Sequence, residues 1–291
     1  MSLCNICPRH CNIDRSKSTG VCGVNDTLKI SRAAAHFWEE PCISGYGGSG
    51  AIFFSGCNMK CVFCQNYEIS SGCFGREITT ERLKEIYDEL IFNGVHNINL
   101  VTPTHYADKI IESLDNPLSV PVVYNSSGYD KVETLKKLNG KIQIYLPDLK
   151  YMNSSTAKKY SKASDYPEIA TKAIKEMFNQ VGEAVFDDEG IMQKGVIIRH
   201  LMLPDEIENT LDVIDWVADE FQNKVIFSLM SQYTPNGNKN CLYPNLNKTV
   251  SEDEYKKAVD YMYLVGIENG YIQDFSSAKK EYTPSFDLTG V

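Results

Sequence analysis

The chain has 291 residues, 43% of them apolar, ten cysteines and a net charge of −9, enough apolar chain for one large α/β barrel or two smaller domains. Its basic residues are scattered among Asp and Glu, with no run that would track a phosphate backbone, which argues against nucleic acid as a partner. The N-terminus "MSLCNICPRHCNIDR" lacks the apolar core of a signal peptide, and nothing later approaches the ~18 to 20 apolar residues of a membrane helix, so the expectation is a soluble, cytoplasmic protein without membrane contact.

In chain order, residues 1–50 hold four cysteines, Cys4, Cys7, Cys11 and Cys22, then an extended run "LKISRAAAHFW" and the glycine-rich "SGYGGSG". The glycine-rich stretch lacks the Lys-Ser/Thr ending of a phosphate loop and precedes a strand, so it is expected to be a flexible connector. From residue 51, β-rich runs alternate with segments of helical period. The expected strands are 51–56, 97–101, 120–125, 142–146, 195–201 and 224–229. The expected helices are 79–92, opening with Thr80, then 105–114, 130–138, 154–180, 206–221 and 252–266, the last capped by Ser251 ahead of "EDE". Six βα units predict an α/β fold of the partial (β/α)6, TIM-like barrel type, with a doubly wound open sheet as its rival. Both put reactive residues at the C-terminal ends of strands. The domain division expected is a cysteine-rich extension, 1–50, and a core, 51–291.

The second cysteine group, Cys57, Cys61 and Cys64 in "GCNMKCVFC", follows the first core strand. The spacing i, i+4, i+7 also describes one helix face, with three small buried thiols as its plain meaning. Gly56 after a strand-like run and the intervening Asn58, Met59, Lys60 and Val62 favour a loop that carries three thiolates toward a common point. Tight clustering in a reducing compartment points to metal or redox chemistry rather than disulfides. Zinc prefers four ligands, or three plus water with His or Asp among them. An iron–sulfur cubane held by three cysteines instead leaves one iron open. Cys42, Cys73 and Cys241 are single.

"CNMKCVFC" fits the C-x3-C-x2-C signature of radical S-adenosylmethionine (SAM) enzymes, and "GCNMKCVFCQN" resembles pyruvate formate-lyase activating enzymes and their uncharacterised relatives. The resemblance implies that Cys57, Cys61 and Cys64 hold a [4Fe-4S] cluster whose open iron binds SAM, with Phe63 near adenine. "NINLVTPTHY" sits where many members carry Gly-Gly-Glu. That triplet is absent, and Thr102 and Thr104 stand at the strand end as hydroxyl acceptors, unless Thr104 is instead only a helix N-cap. Asn125 and Ser126 fall where the activating enzyme has Asp-Thr, and Asp148 and Lys150 on its Asp-x-Lys. Lys150 would meet the SAM carboxylate, and Asp148 a hydroxyl, a cation or the lysine itself, unless the pair is only a surface ion pair. Of Arg199 and His200 on one strand, only one faces the interior. The family pattern selects Arg199, for a SAM carboxylate or ribose, against a salt bridge in the barrel wall. Ser231, Gln232 and Tyr233 are candidates for the substrate side.

Cys4, Cys7, Cys11 and Cys22 form a four-thiolate set suited to structural zinc or a second iron–sulfur cluster; His10 could substitute for one thiol, but its place beside Cys11 favours a solvent-facing role. A similar module occurs in the uncharacterised relatives. The resemblance implies an electron donor such as flavodoxin or ferredoxin, and a hydrogen abstraction from the glycine of a glycyl-radical enzyme or from a peptide or small molecule. A non-catalytic zinc or redox-sensing protein is the alternative from another class.

Overall fold

A computed structural model describes residues 3–235, 242–273 and 284–291; Cys241 lies outside them. Strands β1 (Leu28–His36), β2 (Ser49–Phe54), β3 (Arg76–Ile78), β4 (Ile98–Val101), β5 (Val122–Ser126), β6 (Ile144–Pro147), β7 (Val185–Phe186), β8 (Met192–Leu201), β9 (Ile226–Met230) and β10 (Gly270–Ile272) form one sheet. Its order is β10-β9-β8-β6-β5-β4-β2-β1-β3, with β7 attached to β8. From β2 to β10 every pairing on the path is parallel, whereas β1 runs antiparallel to both β2 and β3. A doubly wound sheet reverses its strand order at a switch point. Here each core strand is added on the same side as the last, which is the progression of an open barrel.

Helices α1 (Pro41–Ser44), α2 (Tyr67–Ser70), α3 (Thr80–Phe92), α4 (Ala107–Ser113), α5 (Val132–Leu138), α6 (Ser154–Ser161), α7 (Tyr166–Val181), α8 (Ile207–Phe221) and α9 (Glu252–Leu264) fill the connections. α7 buries Ala170, Ala173, Ile174, Met177 and Val181, a stripe of helical period that packs on β6 and β8. All six residues of β2 are buried, because its two faces are both covered. In α9 the Ser251–Glu254 capping box closes the first turn, a device worth about 1 kcal/mol. Among the described residues no helix is long and apolar enough to cross a membrane.

Several boundaries differ from expectation for local reasons. The cap of α3 is Thr79, whose side chain accepts from the Arg82 amide at 3.1 Å, one residue before Thr80. The stretch 154–180 is two helices, since Lys162 takes a left-handed conformation (φ 50°) and ends α6. The glycine-rich stretch is no loose connector. Ser49 and Gly50 belong to β2, and the Gly47 amide donates to His96 Nε2 at 2.9 Å.

The run after β1 closes the barrel from within. Cys42 and Ile43 of α1 pack in one cluster with Val123, Ile144, Ile197 and Ile226, residues of the neighbouring strands β5, β6, β8 and β9. This plug leaves the interior open toward the other strand ends, where the cysteine loop lies.

Candidate active site

Gly56, two residues past the end of β2, has φ 85°, and a Cβ there would lie 2.9 Å from the Cys22 carbonyl oxygen, so only glycine turns the chain here without strain. The cysteine loop that follows is irregular rather than helical, and it brings all three thiols to the wall of one cavity of about 230 Å³. Each sulfur accepts a hydrogen bond from a different source. The Met59 amide donates to Cys57 Sγ at 3.3 Å, Ser161 Oγ to Cys61 Sγ at 3.0 Å and Ser70 Oγ to Cys64 Sγ at 3.3 Å. Desolvation, followed by the neighbouring Cys61, pushes the thiol of Cys64 up to about 12 and that of Cys57 above its ordinary range. Thiols so placed stay protonated until a soft metal draws off the proton. Among the described residues no three His, Cys, Asp or Glu side chains converge on a single ion. A cubane spreads its cysteines over separate irons, so three sulfurs on one wall, each with a donor, fit it on donor chemistry.

The opposite wall comes from the strand ends. Thr102 after β4, Asn125 and Ser126 of β5, Asp148 and Lys150 after β6, and Arg199 of β8 all line the same cavity. Arg199 donates from Nε to Asp148 Oδ1 at 3.2 Å, from Nη1 to Glu39 Oε2 at 2.9 Å and from Nη2 to Asn125 Oδ1 at 2.6 Å. Lys150 Nζ reaches Asp148 Oδ2 at 2.6 Å. Burial would raise the Asp148 carboxyl, but Lys150 and Arg199 outweigh it and hold it below the usual carboxylate range. The same contest, burial against Asp148, leaves Lys150 above the usual lysine range. Two acids and two bases thus neutralise one another in a site little open to water. His200, the next residue on the strand, faces away: its ring nitrogens meet the Leu149 carbonyl at 2.7 Å and Thr210 Oγ1 at 3.0 Å.

Thr102 has φ 61°, a conformation that costs a β-branched residue roughly 1–2 kcal/mol. The turn at this strand end therefore keeps a geometry natural to glycine while carrying threonine. Thr104 is absent from the cavity wall; its hydroxyl donates to Asp130 Oδ1 at 2.7 Å in the core. Asp130 also receives Ser126 Oγ at 2.6 Å and Tyr124 OH at 3.1 Å, so the Ser126 hydroxyl is committed outward although its residue borders the cavity. Burial, opposed by those three donors, leaves Asp130 above the usual carboxylate range. Phe63 is buried and ringed edge-on by Tyr151, Tyr160 and Tyr233, with centroids at 6.5, 6.1 and 6.4 Å. Gln232 lines the cavity and its carbonyl accepts from Gln65 Nε2 at 3.1 Å, whereas Tyr233 is buried and donates to the Leu246 carbonyl at 2.7 Å.

Glu39, Glu40 and Trp38 were not legible as site residues. Glu39 rises from the barrel plug, and its Oε1 accepts from Asn99 Nδ2 at 3.1 Å and Asn125 Nδ2 at 3.4 Å. Glu40, buried beneath it with Oε2 unpartnered, is raised by desolvation against the opposing Arg199 charge. Trp38 borders the cavity while 61% exposed. The one signal was two adjacent acids in an otherwise apolar run after an extended segment.

In the N-terminal module, Cys4 and Asn12 are joined by a backbone bond of 3.0 Å, and the Val21 amide donates to Cys11 Sγ at 3.4 Å. Burial pushes Cys7 up to about 12; the Arg9 amide opposes it, and the neighbouring Cys22, Cys11 and Cys4 add to it. His10 bonds Asn5 Oδ1 at 2.6 Å.

The radical SAM superfamily profile matches residues 51–275. An uncharacterised protein of Methanocaldococcus jannaschii is 30% identical over 267 residues, which is 88% of this chain and 73% of that protein. Streptococcus suis SuiB bound to S-adenosylmethionine superposes with a TM-score of 0.53 at 17% identity, over 79% of this chain and 51% of SuiB. SuiB bound to the precursor peptide SuiA gives 0.50 at 16% identity, over 76% and 48%. At that identity the likeness is one of fold, and the chain spans about half the length of SuiB.

Proposed function

Because the chain belongs to the radical SAM superfamily, whose cofactors are a [4Fe-4S] cluster and S-adenosylmethionine, we propose that Cys57, Cys61 and Cys64 hold that cluster and that the adjoining cavity binds SAM. The observation that carries this reading is the arrangement of three hydrogen-bonded sulfurs facing the Asp148–Lys150–Arg199 network across one cavity. When bound, the pair supplies reductive cleavage of SAM to methionine and a 5′-deoxyadenosyl radical that abstracts hydrogen. This chain's own residues orient and shield. Lys150 and Arg199 offer positive charge to the SAM carboxylate, Asp148 aligns both, and Asn125 and Thr102 offer oxygen acceptors to its amino group or ribose. Phe63 and its tyrosines keep water from the cluster side of the cavity.

For the finer assignment, the reading is a glycyl-radical activating enzyme of the pyruvate formate-lyase type, reduced by a flavodoxin or ferredoxin, with residues 1–50 as a metal-binding extension on a core of 51–291. A second reading is modification of a peptide or small molecule. The exposed Trp38 on the cavity rim favours it, since an aromatic platform suits a side chain or ring. SuiB, solved with a precursor peptide, motivates peptides as a test set.

The experiment is anaerobic reconstitution with iron and sulfide, reduction by dithionite and quantification of methionine and 5′-deoxyadenosine. Formation of both by wild type and by neither Cys57→Ala, Cys61→Ala nor Cys64→Ala supports the reading; unchanged cleavage by any of these variants overturns it. Electron paramagnetic resonance of glycyl-radical proteins mixed with the enzyme separates the activase, which leaves a glycine radical, from the modifier, which leaves none.

A further inference from the structure

The N-terminal module reaches into the cysteine loop through one side chain. Arg9, between Cys7 and Cys11, donates from Nε to the Asn58 carbonyl at 2.7 Å, from Nη1 to that of Lys162 at 2.7 Å and from Nη2 to that of Ser161 at 2.9 Å. Its guanidinium lies 5.1 Å from the centre of the Tyr129 ring. Both ends of this fork bear on the sulfurs. Asn58 stands between Cys57 and Cys61 and is pinned from its far side by Nδ2 donating to the Tyr129 carbonyl at 2.9 Å. Ser161 is the residue whose hydroxyl meets Cys61 Sγ. A second tie runs from the Cys57 amide to the Cys22 carbonyl at 3.2 Å. Three carbonyls from two separate segments converge on one planar, rigid donor, a geometry that lysine with its single ammonium cannot reproduce.

We infer that Arg9 is a positioning residue for the iron–sulfur loop, and that order in the turn between Cys7 and Cys11 and order in residues 57–64 are thermodynamically linked through it. The inference rests on the cluster reading given above. Lys162, in its left-handed conformation (φ 50°), exposes the terminal carbonyls of α6 that the helix cannot satisfy. Arg9 takes two of them and so fixes where Ser161 aims its hydroxyl. By linkage, whatever orders one end of the clasp favours the other to the same degree.

The test compares full-length wild type, Arg9→Gln, Arg9→Lys and Cys7→Ser by hydrogen exchange before cluster assembly, then by electron paramagnetic resonance of the reduced cluster. Arg9→Gln is expected to speed exchange in peptides covering 57–64 and 160–163 by about tenfold, the loss of one or two charge-assisted hydrogen bonds, while β5 and β6 keep wild-type rates. Arg9→Lys falls between, and Cys7→Ser, which puts a polar hydroxyl at a buried position of the turn that carries Arg9, reproduces the effect at 57–64. The reduced cluster of Arg9→Gln is expected to give an altered spectrum at unchanged melting temperature. Wild-type exchange at 57–64 in Arg9→Gln overturns the clasp, and wild-type exchange there in Cys7→Ser overturns the linkage. Should Arg9→Gln not fold, the same comparison is read from Arg9→Lys. The exchange arm needs no cluster, so a wild type that takes up no iron contradicts the cluster reading and leaves the clasp to its own result.

Discussion

Arg199 Nη1 and Glu39 Oε2 meet at 2.9 Å across 160 positions of chain, joining the fifth core strand to the plug inside the barrel. The side chains are 15% and 9% exposed, so each charge depends on the other for solvation it no longer receives from water. All three nitrogens of the Arg199 guanidinium are engaged. An incoming carboxylate must share or replace one of these partners.

Glu39→Gln keeps a hydrogen-bond acceptor near Arg199 and removes the charge. Leaving a mostly buried guanidinium one carboxylate short is expected to lower stability by about 1–3 kcal/mol, measured by urea unfolding at neutral pH. Unchanged stability would mean that Asp148 alone suffices for Arg199.

Stability is expected to fall as pH drops from about 6.5 toward 4. Burial pushes the pKa of His200 down to about 4, so the folded state keeps it neutral while the unfolded chain takes up a proton in that window. The unfolded state then binds more protons, and the sign is fixed: stability is full above the unfolded pKa and is lost on acidification. His200→Asn should flatten the slope of unfolding free energy between pH 6.5 and 4.5; an unaltered slope would assign the acid sensitivity elsewhere.

At Thr102, asparagine tolerates the left-handed region better than a β-branched residue does. Thr102→Asn is expected to stabilise the fold by up to ~1 kcal/mol, and Thr102→Val to bring no gain, since it retains the branch. Thermal melts of the two variants decide it, and a gain from valine would show that φ at this residue is not the source of strain.

Ser161→Ala and Ser70→Ala each delete a donor to a cysteine sulfur. Hydrogen bonds to cluster sulfurs stabilise the reduced, more negative state, so both variants are expected to bind iron normally and show a more negative midpoint potential in redox titration. A potential equal to wild type in both would show that these hydroxyls do not act on the cluster.

The repeating core was legible because parallel strands covered on both faces read as apolar runs, and because helices such as α7 and α8 keep a clean apolar stripe. What escaped is what depends on partners distant in sequence. β10 is three residues long and exists by pairing with β9, and the plug at Pro41–Ser44 is too short to show a period. In the site, the cysteine spacing and Asp148-x-Lys150 are local patterns. Glu39 is not, since its meaning comes from Asn99, Asn125 and Arg199, which only the closed barrel brings to it. Thr104 shows the converse: a residue at a strand end, plausible from position alone, whose hydroxyl is taken by Asp130 in the core.

The decisive measurement is electron–nuclear double resonance on the dithionite-reduced, reconstituted protein mixed with SAM labelled at its amino nitrogen and carboxylate. Coupling of both labels to a reduced cluster, lost in Cys61→Ala and retained in Cys42→Ala, is the predicted result. Coupling to either label that persists in Cys61→Ala, or a reduced wild-type protein that shows no coupling to either label, would contradict the assignment of Cys57, Cys61 and Cys64 as the three anchors of a SAM-binding cubane.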